Sequence, residues 1–412
     1  AKRFLATVIE GLESLENAPA SEEMVIFYLS CVRAHYFNQR FEELKPFIQK
    51  IEEMAEHLGT TSARTVALYA KSYQLLATNA NQEDIIKLYK TVIEVNKTAK
   101  DSMFYMHLAN LNLAILLRNN NPKKAIKYFD EAIKIAQHVG SMLQEGNAQG
   151  GLIRTLAFTG NLIQAKIELD KVEDVSKIAD HDFYPIMSRS ILFHYQGYHQ
   201  KAENILYPIW LKMITTNNAQ TINIVGLHLG EILFELNKTT EARNIIDLLI
   251  KEYYSIVQID HKLRPLTLSA LIELSLGETK KAKETLEKTI RNYDKDLRWS
   301  RYEMLYYLRA KGMLLAAENQ WDDAWKTFSE AIEMASSAGF NWRRTRLRLQ
   351  WAEAHFSRGG KEFIEHGIKM MGHSQSEFKE MGADGWVRMI DGRMNELGII
   401  PGSDKPAGKN LS

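Results

Sequence analysis

Residues 311–335 read KGMLLAAENQWDDAWKTFSEAIEMA, two helical patterns separated by a break at Asn319. Gly312 stands inside the first pattern, where a glycine costs roughly 1 kcal/mol against alanine. In the second pattern Ala324, Phe328 and Ala331 are spaced by four and then three residues, which puts them on one helical face. A small residue twelve positions ahead of another, with a turn between, predicts two antiparallel helices in close approach. The dispersion and apolar burial gained there exceed what the glycine costs.

The pattern recurs. Ala125, Ala165, Ala202, Ala242 and Ala282 each begin a copy, and weaker copies begin at Leu44, Ile85 and Ile364, so the leading positions lie 37 to 42 residues apart. Five residues before them stand Asn120, Gly160, Gly197, Asn237, Gly277, Asn319 and Gly359, residue types that tolerate the left-handed backbone just past a helix end. Gln39 and Ala80 break this rule in the first two copies. Twelve residues before the leading position, Gly312 is matched by Gly230, Ala270 and Ser190, whereas Leu113 and Ile153 require a different packing. The expected fold is all-α: a right-handed α-solenoid of about nine helix-turn-helix repeats with a period near 40. One continuous array is expected over residues 1–400, with an N-terminal lead-in helix and a C-terminal capping helix, followed by a disordered tail, PGSDKPAGKNLS, at 401–412.

The composition fits a soluble, folded chain. Among 412 residues, 52 basic and 51 acidic side chains give a net charge of +1, which argues against charge-driven binding to nucleic acid or to anionic membranes. The single cysteine, Cys31, cannot form an internal disulfide and fits a reducing compartment. The start, AKRFLATVIEGL, lacks a small-residue cleavage site after an apolar block and is not expected to be a signal peptide. No apolar run is long enough to span a bilayer, so a cytoplasmic location is expected.

The stretches GMLLAAENQWDDAWKTFSEAI (312–332) and LGEILFELNKTTEARNIIDLL (229–249) resemble the tetratricopeptide repeat (TPR). The longer period implies helices extended by roughly a turn and a half over that family's usual 34-residue unit. Towards the C-terminus, AGFNWRRTRLRLQWAEAHFSRGG and SEFKEMGADGWVRMID are similar to the closing units of sensor arrays in STAND-type signalling ATPases and transcription regulators. The residues that carry this second likeness are Phe378, Met381, Gly382, Ala383 and Trp386. The resemblance implies a sensor or partner-docking array detached from its nucleotide-binding domain, since the chain has no P-loop, cyclase signature or helix-turn-helix.

The chemistry of catalysis is sparse. G-x-S-x-G, H-E-x-x-H and paired-cysteine motifs are absent. His194 and His199, five residues apart, would not share a metal ion on one helix, so neither a metal nor a cofactor is expected. The first helix of each repeat should line a concave face. That register places Arg154, Phe158, Tyr184, Met187, His194, Tyr195, Glu231, Phe234, Tyr306, Arg309 and Arg346 there. Aromatics with cations suit an extended peptide, or a helix carrying acidic groups. Phe158, Tyr195 and Phe234 could equally fill space between repeats. In NWRRTRLRLQW (341–351), Arg344 and Arg348 share a face and Arg346 points elsewhere, so one clamp using all four arginines is not expected. The run should form solvated helix surface, or else meet an acidic partner.

The leading functional expectation is a non-catalytic scaffold or sensor in signalling that holds a protein or peptide on its concave face and acts with an attached or associated nucleotide-binding domain. Two alternatives stand beside it. One is a peptide-pheromone receptor of the quorum-sensing kind, which would need an effector module that residues 1–20 do not supply. The other is an enzyme or enzyme inhibitor with groups on the groove.

Overall fold

The computed structural model describes residues 11, 19–37, 40–78, 80–97, 103–179, 183–215, 219–253, 263–294 and 300–398. The expected lead-in helix, apart from Gly11 and residues 19–20, and the tail at 401–412 lie outside them. The structure is all-α, and the described residues form nineteen α-helices. In chain order these are α1 (Glu22–Phe37), α2 (Leu44–Leu58), α3 (Thr61–Ala77), α4 (Gln82–Asn96), α5 (Met103–Arg118), α6 (Pro122–His138), α7 (Met142–Phe158), α8 (Leu162–Ala179), α9 (Phe183–Tyr195) and α10 (His199–Met213). They continue as α11 (Ala219–Glu235), α12 (Thr239–Leu248), α13 (Leu263–Ser275), α14 (Thr279–Asp294), α15 (Arg301–Ala317), α16 (Trp321–Ala338), α17 (Asn341–Arg358), α18 (Lys361–Met381) and α19 (Asp384–Glu396). A π-helical turn, Leu249–Tyr253, extends α12.

Every leading position falls in the first turn or so of an even-numbered helix, and Ala125, Ala165, Ala202, Ala242, Ala282 and Ala324 are all fully buried. All of these hairpins but that of Ala125 close in one way. The N–H of Gln320 reaches back to the carbonyl of Leu315 (2.8 Å), as Lys238 does to Leu233, Glu278 to Glu273, Tyr198 to Phe193 and Asn161 to Leu156. This six-to-one bond satisfies a carbonyl left open at the helix end and requires a positive φ at the residue between. Gly160, Gly197, Asn237, Gly277, Asn319 and Gly359 all have it; Asn120 does not, and its side chain instead accepts the N–H of Arg301 at 2.8 Å. Gln39 lies outside the described residues. Gly59, Gly140, Gly339 and Gly382 bring the same positive φ to turns between hairpins, which the forty-residue alignment had not included.

Gly312 meets Phe328, not the leading Ala324. A Cβ added there would lie 3.0 Å from Phe328 Cζ, and one at Gly230 would lie 2.8 Å from Ile246 Cδ1. In both hairpins the contact is to the residue four beyond the leading alanine, one turn deeper into the second helix. At the matching place on α9, Ser190 Oγ donates to the carbonyl of Ala202 at 2.8 Å, so that helix pair is close enough for a side chain to bond backbone. Gly151 of α7 solves the problem in another register: a Cβ there would overlap the ring of Phe129 on α6.

Two compact units divide the chain: Ala1–Arg118 with Lys124–Gly151, and Asn119–Lys123 with Leu152–Ser412. The first has a core built from Val25, Cys31, Val32, Leu44, Ile51, Val66, Ala70 and Val92 on α1 to α4, continued by Ala109 and Leu113 of α5. Burial pushes the Cys31 thiol up to about 12, so it serves as a small apolar core residue. In the second unit, helices far apart in sequence come together. Gly385 at the start of α19 donates its N–H to Gln196 in the α9–α10 turn (2.9 Å), and the backbones are so close that a Cβ on Gly197 or on Gly385 would strike the opposite turn. Next to this contact, Met381 Sδ lies 2.8 Å from where a Cβ on Gly160 would sit. Of the residues resembling STAND-type arrays, Gly382 is the left-handed cap of α18, and Phe378 and Trp386 stack with centroids 5.4 Å apart.

The glycines can be ranked by substitution. Gly151→Ala must displace a buried ring and is expected to cost about 1–3 kcal/mol. Gly312→Ala needs only a small shift of Phe328 and regains helix propensity, so its net change is smaller, while Gly312→Leu is severe. Thermal denaturation of the three variants checks the order; a Gly312→Leu protein as stable as the parent would refute the close-approach account.

Candidate functional site

The odd-numbered helices of the second unit bring charged and aromatic side chains together in one buried cluster. On α11, His228, Glu231 and Glu235 follow at three and four residues and therefore share a face. On α15, Tyr302, Tyr306 and Arg309 do the same, and on α17 Trp342, Arg343 and Arg346 join them. Helix α7 contributes Phe158, α9 contributes His194 and Tyr195, α13 contributes Arg264, and His199 and Trp386 come from the first turns of α10 and α19.

Two ion-pair centres organise the cluster. Glu231 Oε2 accepts from Arg264 Nη2 at 3.0 Å, with His228 Nδ1 at 3.9 Å. Glu235 bridges two helices: Arg346 Nη2 reaches both of its oxygens, at 2.8 and 3.1 Å, and Arg309 Nη2 lies 3.4 Å away. Burial alone would raise both carboxyls, but the arginines outweigh it. Arg264 and Arg343 hold Glu231 at about 2, and Arg346 and Arg309 hold Glu235 lower still. Burial, together with the neighbouring Arg346, pushes Arg309 down to about 10.

Between these centres runs a chain of hydroxyls. Tyr195 Oη lies 2.9 Å from Tyr302 Oη, which lies 3.1 Å from Tyr306 Oη, and Arg343 Nη2 donates to both Tyr302 and Tyr306. The Arg343 guanidinium also sits 4.1 Å from the centre of the Tyr306 ring, and Arg264 sits 4.8 Å from it. Phe158 stacks on Tyr302 at 4.6 Å. Trp342 Nε1 donates to the carbonyl of Tyr195 at 2.7 Å, with the two rings 4.4 Å apart. Burial raises the Tyr195 and Tyr306 hydroxyls. At Tyr302 it acts in the same direction, but Arg343 and Arg264 prevail and the hydroxyl is lowered.

His194 and His199 meet, Nδ1 to Nδ1, at 3.2 Å. The five-residue spacing kept them apart only on the assumption of one helix; the turn at Gly197 intervenes and brings the rings together. Burial lowers His194 to about 4 and His199 to about 3, and it carries His228 well below the ordinary imidazole range, with Arg264 and Arg154 acting the same way. Among the described residues there is no group of three His, Cys, Asp or Glu side chains placed to hold a metal ion.

Of the residues expected on the concave face, Phe158, His194, Tyr195, Glu231, Tyr306, Arg309 and Arg346 meet in this cluster, and Arg154 acts on it electrostatically. They are buried against one another, so an open groove lined by them is not what the structure contains: the turn and helix contacts around Gly197 and Gly385 bring α9 and α11 against α17 and α19. Phe234 packs instead against the cluster that Ala270, Leu271, Ala282, Leu286, Ala310 and Leu314 form between neighbouring repeats. The side chain of Tyr184 lies outside the described residues. The basic run divides by face. Arg344 and Arg348 share Glu377, at 2.8 and 2.6 Å, whereas Arg343 and Arg346 are buried, which corrects the expectation of a solvated surface. Arg264, Glu235, Tyr302, Arg343 and Trp342 join the cluster without having been expected on the concave face. The available signal was three- and four-residue polar spacing on the odd helices.

Two measurements test these energetics. Glu235→Gln leaves Arg309 and Arg346 buried without their carboxylate and is expected to cost about 3–5 kcal/mol in thermal or denaturant unfolding. The unfolded chain takes up protons on these imidazoles near pH 6.5, whereas the folded chain holds His194 neutral down to about pH 4. Their contribution is therefore complete above pH 6.5 and is lost as the pH falls towards 4, by roughly 3 kcal/mol for His194. Melting temperatures should drop between pH 7 and pH 4.5, and His194→Gln should make that drop shallower.

No family model and no curated protein matches the sequence. Solved structures do. A Rap protein complexed with the competence and sporulation factor aligns with TM-score 0.67 at 11% identity, over 89% of this chain and 100% of that one. The Rap conjugation gene regulator of plasmid pLS20, in complex with the Phr* peptide, aligns with TM-score 0.52 at 11% identity, over 92% of this chain and 98% of that one. A STAND protein with a tetratricopeptide repeat sensor from Pyrococcus horikoshii aligns with TM-score 0.45 at 16% identity, over 92% of this chain and 55% of that one. What the two Rap structures share with this chain is the fold, an all-α solenoid of TPR-like helical hairpins.

Proposed function

We propose that the chain is a non-catalytic sensor array that receives a peptide between the odd-numbered helices of its second unit and reports the event to a signalling partner. The observation that carries this reading is the convergence of Tyr195, Tyr302, Tyr306, Arg264, Arg343 and Trp342 from four helices on one site. Aromatic and guanidinium side chains are the types that dominate peptide and protein recognition. The likeness in fold to two proteins solved with the competence and sporulation factor and with the Phr* peptide supports it, and it favours the pheromone-receptor form of the reading over a general scaffold. An associated nucleotide-binding domain and a cytoplasmic location belong to the same proposal; among the described residues no helix is long and apolar enough to cross a membrane. We further propose that the repeats of both units form one run, because the forty-residue spacing continues from Ala125 to Ala165 across the boundary at residue 151.

Ligand entry requires the seam between α9 and α17 to open and close again, a population shift of the kind a peptide drives when it binds one state better. Passing a random hexapeptide pool over the immobilised chain, with mass-spectrometric identification of what is retained, should recover a defined consensus. Trp342→Ala and Tyr306→Ala should each reduce retention at least tenfold. A parent chain that retains no more than an unrelated helical-repeat protein would sink the reading.

A further inference from the structure

Among the described side chains that form the two ion-pair centres and the hydroxyl chain, the charges do not balance. Arg264, Arg309, Arg343 and Arg346 carry four positive charges against the two carboxylates of Glu231 and Glu235. Glu235 is committed to Arg309 and Arg346, and Glu231 is bonded to Arg264. Arg343 is only 3% exposed and forms no ion pair with a carboxylate among the described residues. Its terminal nitrogen meets the hydroxyls of Tyr302 and Tyr306, and the Nε atoms of Arg343 and Arg264 are buried without a hydrogen-bond acceptor. Glu231 acts on Arg343 electrostatically without touching it, and a guanidinium removed from water without a directly bonded counter-ion is expensive, which is why buried charges are ordinarily paired.

We infer that Arg343, with Arg264 beside it over the Tyr306 ring, receives a carboxylate of the bound peptide. This rests on the peptide-receptor reading; carboxylates are the anions that an unmodified peptide carries, at its C-terminus or on Asp and Glu side chains. The guanidinium fork, held at a fixed position by the rings of Trp342 and Tyr306, suits planar two-oxygen recognition. The way in is the seam already described. Arg343 lies next to Trp342, whose indole bonds the carbonyl of Tyr195, and parting that bond and the Gly385–Gln196 bond separates α17 and α19 from α9. Within the free chain the tyrosine hydroxyls occupy the donors that a carboxylate would take.

The test uses three pools of random hexapeptides at equal concentration. One has free C-termini and no Asp or Glu, one is C-terminally amidated with a single Asp or Glu, and one is amidated with neither. Retention on the parent chain and on Arg343→Met is measured by mass spectrometry, with thermal melts to confirm that the variant folds. The parent should retain one or both carboxylate pools at least tenfold over the neutral pool, and whichever pool is enriched identifies the source. Arg343→Met should lose that preference while still melting cooperatively. Should the variant not fold, Arg343→Lys keeps the charge without the fork, and the preference should fall in it. Equal retention of all three pools by the parent would overturn the carboxylate inference and leave peptide reception standing. A preference unchanged in the folded variant would overturn it too, and retention of no pool would overturn both.

Discussion

In the hairpins α9–α10, α11–α12 and α15–α16, two helices lie close side by side where one of them offers almost no side chain. Gly312 faces Phe328, Gly230 faces Ile246, and Ser190 is close enough to bond the carbonyl of Ala202. The propensity penalty of a mid-helix glycine is roughly 1 kcal/mol, whereas a fully buried phenylalanine or isoleucine contributes about 1.5–3 kcal/mol. The balance favours the pair, and repetition of the pair every forty residues makes an array from hairpins that could not bury their faces alone.

The second unit adds a different constraint. Its odd helices bury charge, and buried charge is held together by geometry more than by net free energy. Glu235 links α11 to α15 and α17, while the tyrosine hydroxyls link α9 to α15 and, through Arg343, to α17. Replacing such a cluster with apolar side chains of similar volume would be neutral or stabilising in many proteins. On the proposed reading, the cluster is kept as a site that admits and releases a polar ligand.

The hairpins were legible in the sequence because everything that makes them is local. The spacing of Ala324, Phe328 and Ala331, the left-handed stop at Asn319 and the small residue at Gly312 all lie within twenty-one residues. Closure of the second unit was not legible. Tyr195 and Trp342 are 147 residues apart, and Glu235 and Arg346 are 111 apart. No periodicity within a repeat says which repeats will meet. The register of the first helices did select seven members of the buried cluster, because facing inward along a curved stack and facing a partner helix across it are the same direction on the helix. It could not distinguish an open lining from a closed one. The arginine run splits by the same arithmetic: four-residue spacing puts Arg344 and Arg348 on Glu377, and three-residue spacing puts Arg343 and Arg346 inward.

The histidines show how closure and charge are coupled. Each of His194, His199 and His228 is kept neutral chiefly because it is buried, with nearby cations opposing protonation in every case except the carboxylate side of the balance, where Glu231 and Glu235 pull the other way. Opening the seam would return water to these rings and raise their proton affinity towards pH 6.5. Acid and ligand would then act on the same equilibrium from different sides: protonation favours the opened form, while an anion seated at Arg343 relieves the unbalanced charge that makes the closed form costly. On the proposed reading, burial of aromatic rings draws the seam shut, surplus positive charge at Arg343 works against it, and a bound peptide acts on the difference between the two terms.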